Sequence, residues 1–193
     1  LLHERLKPYR LILASQSPRR RELLRELGLE FEINALSVDE DYPADLPADQ
    51  IARYLSEKKA DAYLPTLSDK ELIITADTVV ICDDAVLGKP KDYADAMHML
   101  MSLSGRCHQV VTGVTLLSAQ KRVSFSVSTE VYFAEISEDE ARYYVDHYSP
   151  FDKAGAYGIQ EWIGYVAVHK IEGSFYNVMG LPLHQLYKEL KAF

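Results

Sequence analysis

The stretch Arg10-Leu-Ile-Leu-Ala14, continued by Ser15-Gln16-Ser17-Pro18-Arg19-Arg20-Arg21, predicts a buried strand that turns directly into a helix. Ser17 is a residue type whose side chain caps helices, and Pro18 suits the first helical position, where its missing N–H is not needed. Apolar residues then recur at helical spacing, at Leu23, Leu24 and Leu27. Gly28 is a residue type that ends helices, so the helix is expected to stop there.

The first turn of this predicted helix carries three cations, Arg19, Arg20 and Arg21. Cations are disfavoured at that end, because the helix dipole places about half a positive charge there. Such a conflict is expected where function requires it. Exposed N–H groups, the hydroxyls of Ser15 and Ser17, and the guanidinium groups together favour a site for a polyanion, most simply phosphates. A solvated basic turn is the alternative.

Composition narrows the class of protein. With 193 residues, 48% of them hydrophobic, the chain can bury one good core. Its 29 acidic and 21 basic residues give a formal charge of −8, which argues against general binding to nucleic acids or membrane surfaces. Cys82 and Cys107 border apolar runs and are predicted to be small core residues. No stretch approaches the roughly 20 apolar residues of a membrane span, and no signal-peptide pattern is present. We therefore expect a soluble, cytoplasmic protein.

The apolar pattern alternates between strands and helices along the whole chain. Strands are predicted at 10–14, 30–35, 72–82, 85–87, 110–117, 123–133 and 165–171. Helices are predicted at 18–27, 46–64, 92–103, 138–147 and 183–190, the fourth opened by the capping box Ser137-Glu138-Asp139-Glu140. No repeat or linker interrupts them, so residues 1–193 are expected to form a single domain. This mixture predicts an α/β fold with a mixed sheet and flanking helices.

Asp77 stands out because it lies midway along the most apolar predicted strand. An unpaired carboxylate there would cost several kcal/mol, so Asp77 must be hydrogen-bonded, paired with a cation or bound to a metal. A general base occupies the same kinds of environment. The alternative is an aspartate that anchors a loop. Thr78 would face the opposite way in a regular strand, so a site shared by both requires the strand to bend or its regular pairing to end there.

Two further blocks contain residues suited to a nucleotide. Gly88-Lys89-Pro90 is not a P-loop, but Lys89 is held between a glycine and a proline, which suits a phosphate contact. In the block 152–160, glycines and alanines allow close approach of a ligand, Tyr157 offers a stacking face, and Gln160 can read a base edge. The alternatives are an ordinary turn lysine and a tightly packed turn.

The six histidines and two cysteines show no metal-ligand spacing, so a permanent zinc or calcium site is not predicted. Glu40 and Lys59 are unremarkable on their own. The inventory of cations, one buried carboxylate and an adaptable amide favours hydrolysis of a polyphosphate, assisted by a divalent ion carried on the substrate.

The blocks together resemble the Maf family of nucleoside triphosphate pyrophosphatases, over residues 11–190. The motifs are Ala-Ser-Gln-Ser-Pro-Arg-Arg at 14–20, Ala-Asp-Thr at 76–78, Gly-Lys-Pro at 88–90, Leu-Ser-Gly at 103–105, Asp-Lys-Ala-Gly-Ala-Tyr-Gly-Ile-Gln at 152–160 and Val-Met-Gly-Leu-Pro at 178–182. Each is modest alone, but their order and spacing together are highly specific.

The resemblance implies an elongated mixed sheet in two lobes around a central cleft that holds the site, similar to inosine-triphosphate pyrophosphatases. It implies cleavage between the α- and β-phosphates, with Asp77 as the proton acceptor that activates water. Arg19, Thr78 and Gln160 match the family's specificity positions. The polar positions that line the phosphate and metal region are matched by Ser15, Arg20, Glu40, Lys59 and Lys89.

The combination of Ala-Asp-Thr and Tyr-Gly-Ile-Gln resembles the branch that acts on dTTP, UTP and their modified forms. The implied cofactor is Mg²⁺ or Mn²⁺, and its ligands are left undetermined. The implied partner is a nucleoside triphosphate. Neither a membrane nor a stable nucleic-acid complex is expected, and a homodimer is left open. Two alternatives stay open. One is a nucleotide-sensing regulator of septum formation without significant turnover, which pyrophosphate release from dTTP would exclude. The other is a purine-selective pyrophosphatase, which poor activity on inosine and xanthosine triphosphates would exclude.

Overall fold

The computed structural model describes residues 1–193. The strands are β1 (Arg10–Leu13), β2 (Glu32–Ile33), β3 (Glu71–Cys82), β4 (Ala85–Leu87), β5 (Cys107–Leu117), β6 (Arg122–Phe133) and β7 (Val168–Glu172). The helices are α1 (Leu2–Leu6), α2 (Pro18–Glu26), α3 (Ala48–Asp61), α4 (Tyr93–Leu103), α5 (Glu138–Tyr148), α6 (Trp162–Ala167), α7 (Phe175–Met179) and α8 (Leu183–Ala192). None of the helices is long and apolar enough to span a membrane.

The strands form one seven-stranded mixed sheet in the order β2-β1-β3-β5-β6-β7, with β4 also paired to β3. Strand β1 pairs in parallel with both β2 and β3, from Arg10 opposite Glu71 to Leu13 opposite Ile74. Strands β3 and β4 form an antiparallel hairpin, and β6 and β7 are also antiparallel. This mixed sheet with flanking helices confirms the predicted α/β fold.

The chain divides into two compact units. The first unit comprises Leu1–Asp77, Thr112–Val127 and Gly180–Phe193. Within it, α3 packs directly on β5, where a Cβ on Gly113 would lie 2.3 Å from the backbone of Ala52. Only glycine permits that approach of helix to strand. A buried cluster of this unit surrounds the carboxyl end of β1, formed by Ile12, Ala14, Ala60, Tyr63, Ile73 and Leu117.

The second unit comprises Thr78–Val111 and Ser128–Met179. Its core draws on α4, α5 and α6 together with parts of β3, β5 and β6. Tyr144 of α5 is fully buried in it. The capping box at Ser137 is present, with reciprocal hydrogen bonds between Ser137 and Glu140. Helix α5 is therefore fixed at its start by the residues that predicted it.

Most predicted elements are present, but three expectations need correction. The strand predicted at 165–171 is wrong for its first half, because residues 162–167 form α6 and β7 begins only at Val168. The strand predicted at 30–35 is reduced to the two residues of β2. Cys107 is exposed, so its prediction as a core residue is wrong, whereas Cys82 is buried. Helices α1 and α7 were not predicted.

Candidate active site

The turn between β1 and α2 has the expected capped geometry. The Ser17 side chain accepts a hydrogen bond from the backbone N–H of Arg20 at 3.4 Å, and Pro18 opens the helix. The Ser15 hydroxyl accepts from the backbone N–H of Ser17 at 3.2 Å. No acidic residue lies in the first turn of α2. The dipole and the arginines therefore add to one local positive potential, as the sequence predicted.

Arg20 is held by backbone carbonyls. Its Nε donates to the carbonyl oxygen of Gly180 at 2.8 Å, and its Nη1 donates to that of Ala76 at 3.0 Å and to the Ser15 hydroxyl at 3.4 Å. Burial lowers the pKa of the Arg20 guanidinium, whereas the charge of Asp77 raises it. An arginine stays protonated under such opposing influences. Arg20 therefore joins the basic turn to the residue that precedes Asp77, and brings a positive charge into the field of that carboxylate.

Lys59 of α3 connects two carboxylates. Its Nζ donates to Oε1 of Glu40 at 2.8 Å and makes a short hydrogen bond to Oδ1 of Asp77. The exposed fraction of the side chain is 17% for Lys59, 11% for Asp77 and 46% for Glu40. The sequence left three states open for Asp77: hydrogen-bonded, paired with a cation, or bound to a metal. In the structure Asp77 is hydrogen-bonded to and paired with Lys59.

The backbone pairing of β3 changes close to Asp77. Hydrogen bonding to β1 ends where Ala14 N–H donates to the carbonyl oxygen of Ile74 at 2.9 Å, and pairing to β4 starts at Val80. Between these points Arg20 takes the carbonyl oxygen of Ala76. The regular pairing of β3 with β1 therefore ends just before Asp77.

In the second unit, the Gly88-Lys89-Pro90 block lies against the glycine-rich block. The backbone N–H of Gly155 donates to the carbonyl oxygen of Gly88 at 3.0 Å. Gly155 has a φ of +68°, and a Cβ there would lie 3.0 Å from Val80. The glycine is therefore required by both its backbone conformation and its packing. The structure brings together two motifs that are more than sixty residues apart in the sequence.

Gln160 lies at the corner of a tight turn, where the N–H of Glu161 donates to the carbonyl oxygen of Gly158 at 3.0 Å. Its side-chain Oε1 is buried and has no hydrogen-bond partner within the protein. A buried acceptor without a donor costs about 1–3 kcal/mol. A ligand that offers an N–H to Gln160 would recover that free energy.

Tyr157 is a core residue, so the prediction that it offers a stacking face to a ligand is wrong. Its hydroxyl shares a hydrogen bond of 2.7 Å with Nε2 of His108, and its ring makes edge contacts with His108 and Phe133. Burial raises the pKa of the Tyr157 hydroxyl and lowers that of His108 to about 4. The pair is therefore neutral and structural.

The predicted site residues fall in both units. The first unit brings Asp77, Lys59 and Glu40 together, and it also contains the basic turn with Ser15, Arg19 and Arg20. The second unit contains Thr78, Lys89 and Gln160. No three side chains of His, Cys, Asp or Glu type are grouped so that they could hold a metal ion. The chain itself supplies at most the two carboxylates of Glu40 and Asp77 at that point.

Residues 10–193 match the family described as Maf-like protein. The chain belongs to the Maf family. A relative from Parabacteroides distasonis, named dTTP/UTP pyrophosphatase, is 52% identical over 191 residues, which are 98% of this chain and 99% of the relative. A relative of the same name from Porphyromonas gingivalis is 54% identical over 193 residues, covering 98% of this chain and 97% of the relative. The resemblance drawn from the sequence motifs is therefore confirmed along nearly the whole chain.

Among solved structures, a nucleoside-triphosphatase named dITP/XTP pyrophosphatase from Mycobacterium abscessus aligns with this Maf chain at 15% identity and a TM-score of 0.45. The alignment covers 95% of this chain and 97% of that one.

The backbone of Gly180 contributes to the site, and the sequence assigned no role to this residue. Gly180 belongs to a motif that carries the Maf resemblance, and its carbonyl oxygen accepts the shortest of the Arg20 hydrogen bonds described above. Its φ is +113°. The only signal in the sequence is a glycine within that motif, and a backbone acceptor leaves no mark in a side chain.

Proposed function

We propose that this Maf chain hydrolyses dTTP and UTP to the nucleoside monophosphate and pyrophosphate. The observation that carries the proposal is the buried carboxylate of Asp77, held by Lys59 beside Glu40 at the point where β3 leaves β1. The names of two relatives that are more than 50% identical support the same reaction and substrates.

Asp77 acts as the proton acceptor for the attacking water. Lys59 donates to its Oδ1, which fixes the orientation of the carboxylate and leaves Oδ2 to take the proton. A general base must lie within hydrogen-bond reach of that proton and in a fixed orientation. Two positive charges, those of Lys59 and Arg20, lie close to this carboxylate.

The cations balance the charge that develops on the leaving pyrophosphate. A nucleoside triphosphate carries about four negative charges, and positioned cations stabilise the transition state most where new charge appears. Arg19 at the start of α2 and Lys89 are proposed to contact phosphate oxygens, together with the Ser15 hydroxyl and the N-terminal N–H groups of α2. Arg20, already committed to carbonyl oxygens, contributes mainly through its charge and by holding the turn.

Glu40 or Asp77 would hold a divalent ion brought in by the substrate. Carboxylate oxygens are the ligands that Mg²⁺ and Mn²⁺ prefer, and Mg²⁺ is usually bound by one or two carboxylates plus phosphate oxygens. When bound, such an ion supplies Lewis-acid polarisation of the phosphate.

Gln160 is proposed to read the base, with Arg19 and Thr78 as further specificity residues. Uracil and thymine present an acceptor–donor–acceptor edge, so their N3–H can donate to the buried Oε1 of Gln160. Cytosine offers an acceptor at N3 and would leave Oε1 facing another acceptor. Mismatches of buried polar groups give strong discrimination. We therefore expect UTP and dTTP to be used well ahead of CTP.

The experiment is a nucleotide panel with Mg²⁺ and with Mn²⁺, in which pyrophosphate and monophosphate are measured separately. Equal amounts of both products from UTP and dTTP, with little from CTP, GTP and ITP, are expected. Release of phosphate in place of pyrophosphate would contradict cleavage between the α- and β-phosphates. Binding of UTP without any product would favour a nucleotide-sensing regulator, and preference for ITP would favour a purine-selective enzyme.

The net charge of −8 leads us to expect no stable nucleic-acid complex, and we place the reaction in the cytoplasm.

A further inference from the structure

We infer that Glu161, Lys153 and Tyr144 form a positioning network that sets the base preference of Gln160 without contacting the substrate. The inference rests on the proposed function, because it concerns the residue that reads the base. It goes beyond that function by assigning specificity to three side chains behind the site.

The turn is fixed at both ends by one buried phenol. The backbone N–H of Gly158 donates to the hydroxyl of Tyr144 at 2.9 Å. The same hydroxyl donates to Oε2 of Glu161 in a short hydrogen bond. Tyr144 is fully buried in α5, so its hydroxyl is a rigid reference point. The first and last residues of the Gln160 turn are thereby held relative to the core of the second unit.

The carboxylate of Glu161 is held from its other side by a lysine. Oε1 of Glu161 lies 3.2 Å from Nζ of Lys153, which also donates to Oδ1 of Asp152 at 2.8 Å. The Lys153 side chain is only 8% exposed. A lysine that is this buried requires charged partners, so the pair fixes the positions of both residues.

Gly158 shows how closely the ion pair lies against the turn. A Cβ on Gly158 would come within 3.0 Å of the Glu161 carboxyl group and of Cε of Lys153. A side chain at position 158 would therefore require the ion pair to shift. A third contact fixes the middle of the turn, where the Tyr165 hydroxyl donates to the carbonyl oxygen of Gln160 at 3.0 Å.

These contacts leave the Gln160 side chain as the part of the turn that still has an unmet acceptor. Every backbone group named above is committed to the network, and only Oε1 of Gln160 remains buried without a donor. The network therefore determines where that acceptor lies, and its position determines which base edge it matches. Displacements near 1 Å in a positioned group can change rates by about 100-fold.

The test compares kcat/KM for UTP and CTP in Glu161→Gln, which keeps the size of the side chain and removes its charge. We expect the UTP-to-CTP ratio to fall at least about fivefold through a higher KM for UTP, with kcat for saturating UTP nearly unchanged. Tyr144→Phe removes the shared hydroxyl and should lower the ratio in the same way. The matched control is Glu172→Gln, which breaks an exposed ion pair with Lys170 in the same unit and should leave the ratio unchanged.

The outcomes separate this inference from the function on which it rests. Wild-type protein that prefers UTP, with a Gln160→Ala variant that loses the preference, establishes the base reading. If Glu161→Gln and Tyr144→Phe then both keep the wild-type ratio, the network is structural and the inference is wrong, even where the melting temperature falls. If wild-type protein or Gln160→Ala shows no role for Gln160, the proposed base reading itself is wrong.

Discussion

Two lysines of this protein each bridge two carboxylates, one in each unit, yet the clusters differ in what remains to be satisfied. Lys59 joins Asp77 to Glu40, and Lys153 joins Glu161 to Asp152. In the first cluster Lys59 donates to one oxygen of Asp77, and the other oxygen is the proposed proton acceptor. In the second, Tyr144 occupies the remaining oxygen of Glu161. The two clusters have similar residue types and similar burial. They differ in the role of the second carboxylate oxygen, which is the proposed proton acceptor in Asp77 and already has a hydrogen-bond partner in Glu161.

This difference distinguishes a cluster that is proposed to take part in the chemistry from a cluster that is proposed to position a neighbouring residue. A buried polar group that is fully hydrogen-bonded stabilises one geometry, whereas one with spare capacity can bind or take a proton. The Asp77 cluster is expected to respond to substitution in rate, and the Glu161 cluster in specificity and stability. The predictions below test that division, starting with the largest expected effect.

Asp77→Asn should abolish turnover and leave the protein folded. The substitution is nearly isosteric, and it removes the proton acceptor together with its charge. We expect a loss of about 10²–10⁴-fold in kcat for UTP, the range usual for a general base. Substrate affinity should hold or rise, since a negative charge near the triphosphate is gone. Pyrophosphate release and UTP binding are the two measurements, and retention of more than a tenth of the wild-type rate would exclude Asp77 as the base.

Replacing the two lysines should affect different properties of the protein, stability for Lys153 and turnover for Lys59. Lys153→Met leaves Glu161 desolvated beside Asp152, and removing one partner of a buried pair costs about 3–5 kcal/mol of unfolding free energy. Lys59→Met also removes the partner of a buried carboxylate, but the charge of Arg20 remains near Asp77 and Glu40 is 46% exposed. We therefore expect a smaller loss of unfolding free energy than in Lys153→Met, together with a severe loss of kcat.

Denaturant unfolding and UTP turnover, measured on both variants, test this contrast. If Lys153→Met lost kcat as severely as Lys59→Met while remaining as stable, the division between the clusters would be wrong.

The fold was predictable where local signals and tertiary packing agree. Ser17 and Pro18 start α2, the capping box at Ser137 starts α5, and the apolar run 72–82 is β3. The prediction of a strand at 165–171 is wrong for its first half, because the apolar residues of this segment suit a helix as well as a strand. Its first half is helical because the chain closes a turn there, with Gly164 N–H donating to the Glu161 carbonyl oxygen at 2.9 Å.

The site was predictable as a set of residue types, but its connections were not. An aspartate in an apolar strand demands a partner, yet nothing in the sequence selects Lys59 over other lysines. Carbonyl acceptors such as those of Ala76 and Gly180 are invisible in a sequence, so the commitment of Arg20 to backbone could not be foreseen. Tyr157 looked like a ligand contact because it lies among glycines, and its burial depends on His108 and Phe133, which are distant in sequence.

His108 lies in the second unit and tests whether the stability of that unit depends on a buried group that stays neutral as the pH falls. Burial lowers its pKa from 6.5 to about 4 in the folded protein. The unfolded chain therefore takes up a proton first as pH falls. The resulting stability is fully present above about pH 6.5 and is lost as pH falls towards 4, by about 3 kcal/mol.

Substitution separates this contribution from the acid response of the carboxylates. His108→Gln can still hydrogen-bond the Tyr157 hydroxyl but does not titrate, so its unfolding free energy should fall less steeply between pH 6.5 and 4.5. His98→Gln, at an exposed histidine of the same unit, is the control. Parallel pH profiles for wild type and His108→Gln would contradict the assignment of His108 as a neutral buried base.

Arg19→Ala probes the basic turn of the first unit and has the smallest expected effect. Each lost charge-assisted contact to phosphate should weaken binding of the substrate by about 1.5–3 kcal/mol, measured as a higher Kd for UTP and a lower kcat/KM. The free protein should be unchanged or stabilised by up to about 1 kcal/mol, because a cation leaves the positive end of α2. Arg25→Ala, in the last turn of the same helix, is the matched control, since a cation there is favourable and its loss should destabilise slightly without altering kinetics. A large fall in melting temperature with unaltered kinetics in Arg19→Ala would instead show that this turn is structural. The conflict between three arginines and the helix dipole would then need another explanation.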